Sequence, residues 1–262
     1  MRIVVCVKEV LDPAAVNNYA LAGNLKIAAD GRTPDVAAIP RLINGYDEQA
    51  MEAAMRIRDQ GVNCTITAVS IGSDQKTLLK HCAALGADEI VAIDPGSAAI
   101  DGQVVANILG AYVKSIGGAD LILCGRQASD DDQGVVPLLL AEKLGLAAVT
   151  LARAVEVEGH SVKVVRATAD GDEVVQGSLP AVVTVSNELG TPRFPTAKAK
   201  MAARKMAPVE LTAASLGLTA QGLQPVVVLL KQFVPQVQGN CEFFSGAPAD
   251  VARQLIERIR AA

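Results

Sequence analysis

The sequence predicts an α/β fold, a parallel sheet covered by helices on both faces, and three observations carry that expectation. Apolar runs of strand length alternate with amphipathic stretches over the first half of the chain. The run Leu121–Cys124 leads through a polar, glycine-containing loop into a helical pattern, and after Val149 the apolar period shortens to two. Alternation of the first kind builds a Rossmann-like sheet with right-handed crossovers, and period two builds hairpins.

In chain order, strands are expected at Ile3–Val7, Thr65–Ile71, Ile90–Ile93 and Leu121–Cys124, with helices over 46–60, 74–86, 100–116 and 134–144. The helix after Asn44-Gly45 has the fullest signal. Asp47 and Glu48 complement the dipole of its first turn, Ala50, Met51, Ala54, Met55 and Ile57 supply an apolar face, Arg56 and Arg58 fall near its end, and Gly61 stops it. About forty residues of weak pattern separate it from the first strand, too many for an ordinary βα connection, so Leu11–Pro40 reads as an excursion holding a hairpin or a lid. In the last predicted helix of this half, Pro137 is tolerable only in the first turn and Gly145 is placed to end it.

Beyond Val149, the segments Val155–Val157, Val162–Val165, Glu173–Gln176 and Ala181–Val185 are separated by Glu158-Gly159 and Asp170-Gly171, which predicts an antiparallel extension. Residues 188–210 are irregular and basic. A Pro/Gln/Gly-rich stretch then leads to an amphipathic helix, Pro248–Arg260, whose face of Val251, Leu255, Ile256 and Ile259 either folds back or reaches a partner subunit. The expected organisation is an α/β nucleotide-binding domain with its hairpin extension over 1–187, a recognition loop and basic segment over 188–210, and a linker and partner-reaching helix over 211–262.

Composition narrows the function. The 262 residues carry a formal charge of -4, which lacks the basic field of a nucleic-acid binder. No apolar run reaches membrane-spanning length, Val226–Leu230 and Leu138–Ala141 being broken by charge, and Met1-Arg2-Ile3 enters a strand without a signal-peptide pattern, so a cytoplasmic location is expected. The five cysteines (Cys6, Cys64, Cys82, Cys124, Cys241) form no Cys-x-x-Cys pair and read as reduced thiols, and His81 and His160 are isolated. No metal site is expected.

The loop GRQASDDDQG, Gly125–Gly134, lies where open α/β sheets bind ligands, at a strand's carboxyl end and before a helix whose free amides suit an anion. Asp130, Asp131 and Asp132 would repel a phosphate, so they cap amides or meet ribose hydroxyls while Gln127, Ser129 and the amides meet the phosphate; the alternative is a solvated, well-capped loop without a ligand. Neither a Walker A pattern nor a Ser-Gly-Gly-x-Asp-Ser pyrophosphatase loop is present, which speaks against a nucleotide-hydrolysing or adenylating enzyme.

Several segments in order resemble the β subunit of an electron transfer flavoprotein. They are Val7-Lys8, Asn44–Arg58, Ala68-Val69-Ser70-x-Gly72, Leu85-Gly86-Ala87-Asp88, GRQASDDDQG, Leu179-Pro180-Ala181-Val182-Val183-Thr184 and Thr191-Pro192-Arg193-Phe194-Pro195-Thr196. The resemblance implies a heterodimer whose α subunit carries the redox-active FAD, with this chain buttressing the flavin, holding AMP and having no catalytic residue of its own. By position, the nucleotide site would use Cys6, Val7, Asn44, Asp47, Ile71, Gly72, Gly125, Arg126, Gln127, Ala128, Ser129, Asp130, Asp131, Asp132, Gln133, Gly134 and Val135. Docking of acyl-CoA dehydrogenase-type flavoenzymes would use Pro192, Arg193, Phe194, Pro195, Thr196, Ala197 and Lys198, with electrons passing on to a membrane quinone oxidoreductase. Asp131 stands where bifurcating members, which hold a second FAD in place of AMP, tend to have glycine; AMP is therefore expected here. Ala197 stands where members often place an anchoring leucine, which shifts the expected contact to Phe194 and Met201. Lys198, Lys200, Arg204 and Lys205 form either a solvated helix face or a patch that steers an acidic partner.

Overall fold

The computed structural model describes residues 1–96, 99–234 and 241–261. In chain order the described strands are β1 (Arg2–Cys6), β2 (Glu9–Leu11), β3 (Lys26–Ile27), β4 (Pro34–Asp35), β5 (Arg41–Ile43), β6 (Thr65–Ile71), β7 (Glu89–Asp94), β8 (Leu121–Gly125), β9 (Ala147–Glu158), β10 (Ser161–Thr168), β11 (Gly171–Ser178), β12 (Ala181–Val185) and β13 (Val209–Thr212). The helices are α1 (Pro13–Leu21), α2 (Gly45–Asp59), α3 (Lys76–Leu85), α4 (Gly102–Ser115), α5 (Val136–Leu144), α6 (Ala197–Arg204) and α7 (Pro248–Ala261).

The main sheet runs β11-β10-β9-β12-β8-β1-β6-β7-β13, and every pair from β9 through β12, β8, β1, β6 and β7 to β13 is parallel. Alternate side chains point to opposite faces. Ile3, Val5, Ile66, Ala68, Leu121 and Leu123 therefore pack with residues of α2 and α3, whereas Val4, Val69, Ile122 and Cys124 pack with residues of α4 and α5. Helices on both faces explain why β8 and β12 are buried along their whole length and why their sequences are apolar without alternation. No helix among the described residues is long and apolar enough to cross a membrane.

Three predicted elements need correction. Ala181–Val185 is not part of the antiparallel extension; it inserts as a parallel strand between β8 and β9, because five consecutive buried residues can be covered only inside the sheet. The antiparallel extension consists of β9, β10 and β11. The segment expected to be irregular contains α6, N-capped by Thr196 Oγ1 accepting from Ala199 N at 3.1 Å, and then the edge strand β13. The helix expected from Gly134 begins at Val136, since Gly134 has φ of +63° and leaves the helical region.

The excursion after β1 is an outer antiparallel pair, β2 with β5, and an inner pair, β3 with β4, with the exposed α1 between them. At the other end of the chain the expected Pro/Gln/Gly linker lies partly outside the described residues. The segment before it is tethered to Asp101 and to residues 31 and 32. Asp101, the N-cap of α4, accepts the amides of Val226 and Val227 at 2.7 and 2.9 Å, and Gln232 donates to Gly31 O at 2.7 Å. Val226–Leu230 stays exposed, and α7 buries none of its residues, Leu255, Ile256 and Ile259 included.

Candidate functional site

β1 feeds α2, β6, α3 and β7 on one side, and the chain then returns through α4 to β8 on the other side of β1. The crevice at the carboxyl ends of β1 and β8 is thus a topological switch point, the place where open α/β sheets bind ligands. Cys6 and Cys124 are register partners there, and both are buried.

Asp47 closes the floor of this crevice. It sits in the first turn of α2, is 7% exposed, and accepts the amide of Lys8 at 2.8 Å and that of Gly125 at 3.0 Å. One carboxylate thereby joins the two strand ends. Burial pushes the Asp47 carboxyl up to about 7 against the pull of those amides. Gly125 is required by this close approach, since a Cβ there would lie 2.7 Å from Tyr46 C and would also strike the Asp47 carboxylate.

Asn44, 1% exposed, ties the loop to α2. Its Nδ2 donates to Gln127 O at 2.8 Å and its Oδ1 accepts from Ser129 N at 3.2 Å. The three aspartates resolve their mutual repulsion locally. Lys8 Nζ lies 2.8 Å from Asp130 and 3.4 Å from Asp131, Gln127 Nε2 donates to Asp132 at 2.8 Å, and Asp131 accepts from Gln133 N at 3.3 Å. None of them caps α5, whose N-cap is Val135 with no side-chain bond. The capping role considered for them is therefore corrected: with Gly134 left-handed, the loop is directed back toward β1 before the helix begins. The amides of the α5 first turn are left without a side-chain acceptor.

Within this braced loop the Ser129 hydroxyl is buried and has no hydrogen-bond partner among the described residues. A buried hydroxyl in that condition costs about 1–3 kcal/mol unless something accepts or donates to it. Its position between the Asn44 tie and the acidic triplet suits a polar ligand rather than the apolar core.

The other expected nucleotide residues are spread along the same edge. Val7 donates its amide to Val69 O at 2.9 Å; Ile71 and Gly72 end β6, with Gly72 N donating to Ile93 O at 3.0 Å. Arg126 donates its amide to Val185 O, and its guanidinium lies 5.7 Å from the Tyr46 ring centroid. Val135 packs toward the start of α4, where a Cβ on Gly102 would meet it at 2.6 Å. Lys8 and Tyr46 were absent from the expected set. The signal for Lys8 lay in the triplet itself, because three adjacent carboxylates at a strand end call for a cation on a neighbouring strand. His81, isolated in the sequence, is half-buried with Nε2 at 3.0 Å from Glu48 across α2 and α3.

The segment 192–198 forms a second cluster. Phe194 is 88% exposed and Met201 67%, while Arg193 is fastened to α2. Lys198, Lys200, Arg204 and Lys205 are exposed beside them on and after α6. A groove of about 360 Å³ runs between the end of α3, residues 193–196 and α6, away from the β1–β8 crevice. Among the described residues no group of His, Cys, Asp and Glu could hold a metal ion.

Residues 36–216 match the model of the electron transfer flavoprotein domain. The chain is similar to the electron transfer flavoprotein subunit beta of Megasphaera elsdenii, 34% identical over 82% of this chain and 80% of the relative. It is 31% identical to the same subunit of Thermoanaerobacterium thermosaccharolyticum, over 99% of this chain and 98% of the relative. It is also 28% identical to the caffeyl-CoA reductase-Etf complex subunit CarD of Acetobacterium woodii, again over 99% of this chain and 98% of that protein.

Proposed function

Because the chain belongs to the electron transfer flavoprotein family as a β subunit, we propose that it holds a structural AMP in the β1–β8 crevice. On this reading it pairs with an α subunit, supports that subunit's FAD, and docks acyl-CoA-dehydrogenase-type flavoenzymes, so that electrons are relayed toward a membrane quinone oxidoreductase. The observation that carries the nucleotide assignment is the orphaned, buried Ser129 hydroxyl inside a loop fastened by Asn44 and Asp47.

The residues present fit a nucleotide monophosphate. Ser129 and the uncapped amides of α5 offer donors for a phosphate, Lys8 neutralises the adjacent Asp130 and Asp131, and the acidic oxygens accept from hydroxyls. FAD, when bound with the α subunit, supplies the redox chemistry; this chain's part is to fix geometry and present 192–198 with the tail. The exposed aliphatic run Val226–Leu230 and the unburied apolar face of α7 are surfaces that the α subunit would cover.

The test is to co-express the chain with its α subunit, denature the purified heterodimer, and quantify released nucleotides by chromatography. One FAD and one AMP per heterodimer is the expected result. Two FAD and no AMP would overturn the AMP assignment and make this the site of a second, bifurcating flavin.

A further inference from the structure

We infer that Glu52 is a positioning residue for partner docking: from the buried side of α2 it sets the conformation of the 189–193 segment that presents Phe194. This rests on the reading of 192–198 as the docking segment.

Glu52 is 6% exposed, unusual for a carboxylate unless cations surround it. Its two oxygens are shared between two guanidinium groups. Arg193 contributes its amide at 3.1 Å, Nε at 2.7 Å and Nη2 at 3.3 Å, and Arg56 contributes Nε at 2.8 Å. Arg56 then donates Nη1 to Leu189 O at 2.8 Å. A single carboxylate therefore holds both ends of the 189–193 turn, one directly and one through Arg56. Burial pushes the Glu52 carboxyl up, and the bonds from Arg193 and Arg56 outweigh it, leaving it below the usual range. It stays ionised and the staple stays closed.

Immediately beyond the staple Phe194 stands out into solvent, Thr196 caps α6, and α6 in turn is fastened to α3 by Lys80 Nζ donating to Arg204 O at 2.7 Å. The second anchor of Arg193, Asp59 at 2.7 Å, is 58% exposed, and an exposed ion pair contributes little to order. Glu52 is thus the buried polar anchor on the N-terminal side of Phe194. Because α2 also carries Asp47 at the nucleotide crevice, the docking segment and that crevice are mounted on one helix.

The experiment compares the wild-type heterodimer with Glu52→Gln and Phe194→Ala. It measures hydrogen exchange by peptide, bound FAD and AMP, and the KM and kcat for heterodimer reduction by an acyl-CoA dehydrogenase. Glu52→Gln keeps the shape and removes the charge; exchange in the 189–196 peptides and KM should each rise about tenfold. The expected pattern leaves kcat, nucleotide content and exchange over 121–135 unchanged. Unchanged exchange and KM overturn the inference. A KM raised by Phe194→Ala but not by Glu52→Gln overturns it too, while sparing the docking reading; faster loop exchange with KM unmoved in both variants sinks the docking reading itself. If Glu52→Gln loosens α2 throughout, Arg56→Gln, which frees the Leu189 end of the staple and lies outside the docking segment, decides by the same KM criterion.

Discussion

Asp47→Asn separates two opposed effects at the β1–β8 crevice. Burial at 7% exposure disfavours the ionised carboxylate, whereas the amides of Lys8 and Gly125, at 2.8 and 3.0 Å, favour it. Burial wins, moving the carboxyl from 3.8 to about 7. An acid whose folded pKa is raised binds its proton more tightly in the native chain than in the unfolded one. Its stabilising contribution is therefore complete below the unfolded value of 3.8 and is lost as pH rises to about 7. A window of about three units at ~1.4 kcal/mol each makes the loss about 4 kcal/mol. The variant's side chain is neutral at every pH and lacks this dependence. Urea unfolding of both proteins at matched pH and nucleotide concentration should show the wild-type advantage falling by ~1.4 kcal/mol per pH unit between about pH 4 and about pH 7, then levelling. A difference independent of pH, or one that grows with pH, would mean that the two amides dominate, and the reasoning would fail.

Ser129→Ala removes the orphaned hydroxyl; the chain's unfolding midpoint should hold or rise while AMP retention on dilution falls about tenfold, read by released nucleotide. Leu123→Ala empties a fully buried position at the centre of β8 and should cost about 2–5 kcal/mol in urea unfolding. Removing the chain from Val226 onward deletes exposed apolar surface and leaves the sheet intact, so co-purification with the α subunit should be lost while far-ultraviolet dichroism of the sheet persists. Retained co-purification would exclude the tail as the main α-subunit contact.

The sequence made the doubly covered sheet legible wherever local pattern and final environment agreed. Ile3–Val7, Ile90–Ile93 and Leu121–Cys124 are apolar without alternation because helices cover both faces, and these strands, with the more mixed Thr65–Ile71, all lie in the parallel part. Ala181–Val185 carries the same signature, yet its place after two hairpin segments made antiparallel pairing the nearer inference. Its true neighbours, β8 and β9, are set by a long-range crossover that no local period encodes. Val209–Thr212 is mostly exposed, so it has no apolar pattern to betray an edge strand. At the crevice, Asn44 and Asp47 were readable as helix-start residues, but the identity of the groups they bind was not. Asp47 spans residues 8 and 125, and Asn44 reaches 127 and 129, distances in sequence that only the folded sheet closes.

The acidic triplet shows why charge in a loop cannot be read from the loop alone. Three consecutive aspartates before a helix look repulsive to a phosphate, and the usual remedy would be to spend them as caps. Here the helix is left uncapped, and the compensating cation comes from Lys8, at the end of a strand more than one hundred residues earlier. Half-exposed ion pairs of this kind add little to stability. Their consequence is directional: with Asp130 and Asp131 turned to Lys8 and Asp132 to Gln127, the α5 first turn has no side-chain cap and the Ser129 hydroxyl has no partner among the described residues. A loop arranged for its own stability would have capped the helix and satisfied the serine. This one leaves both open on the side of the sheet where the strand order reverses, which is the arrangement an anionic ligand requires.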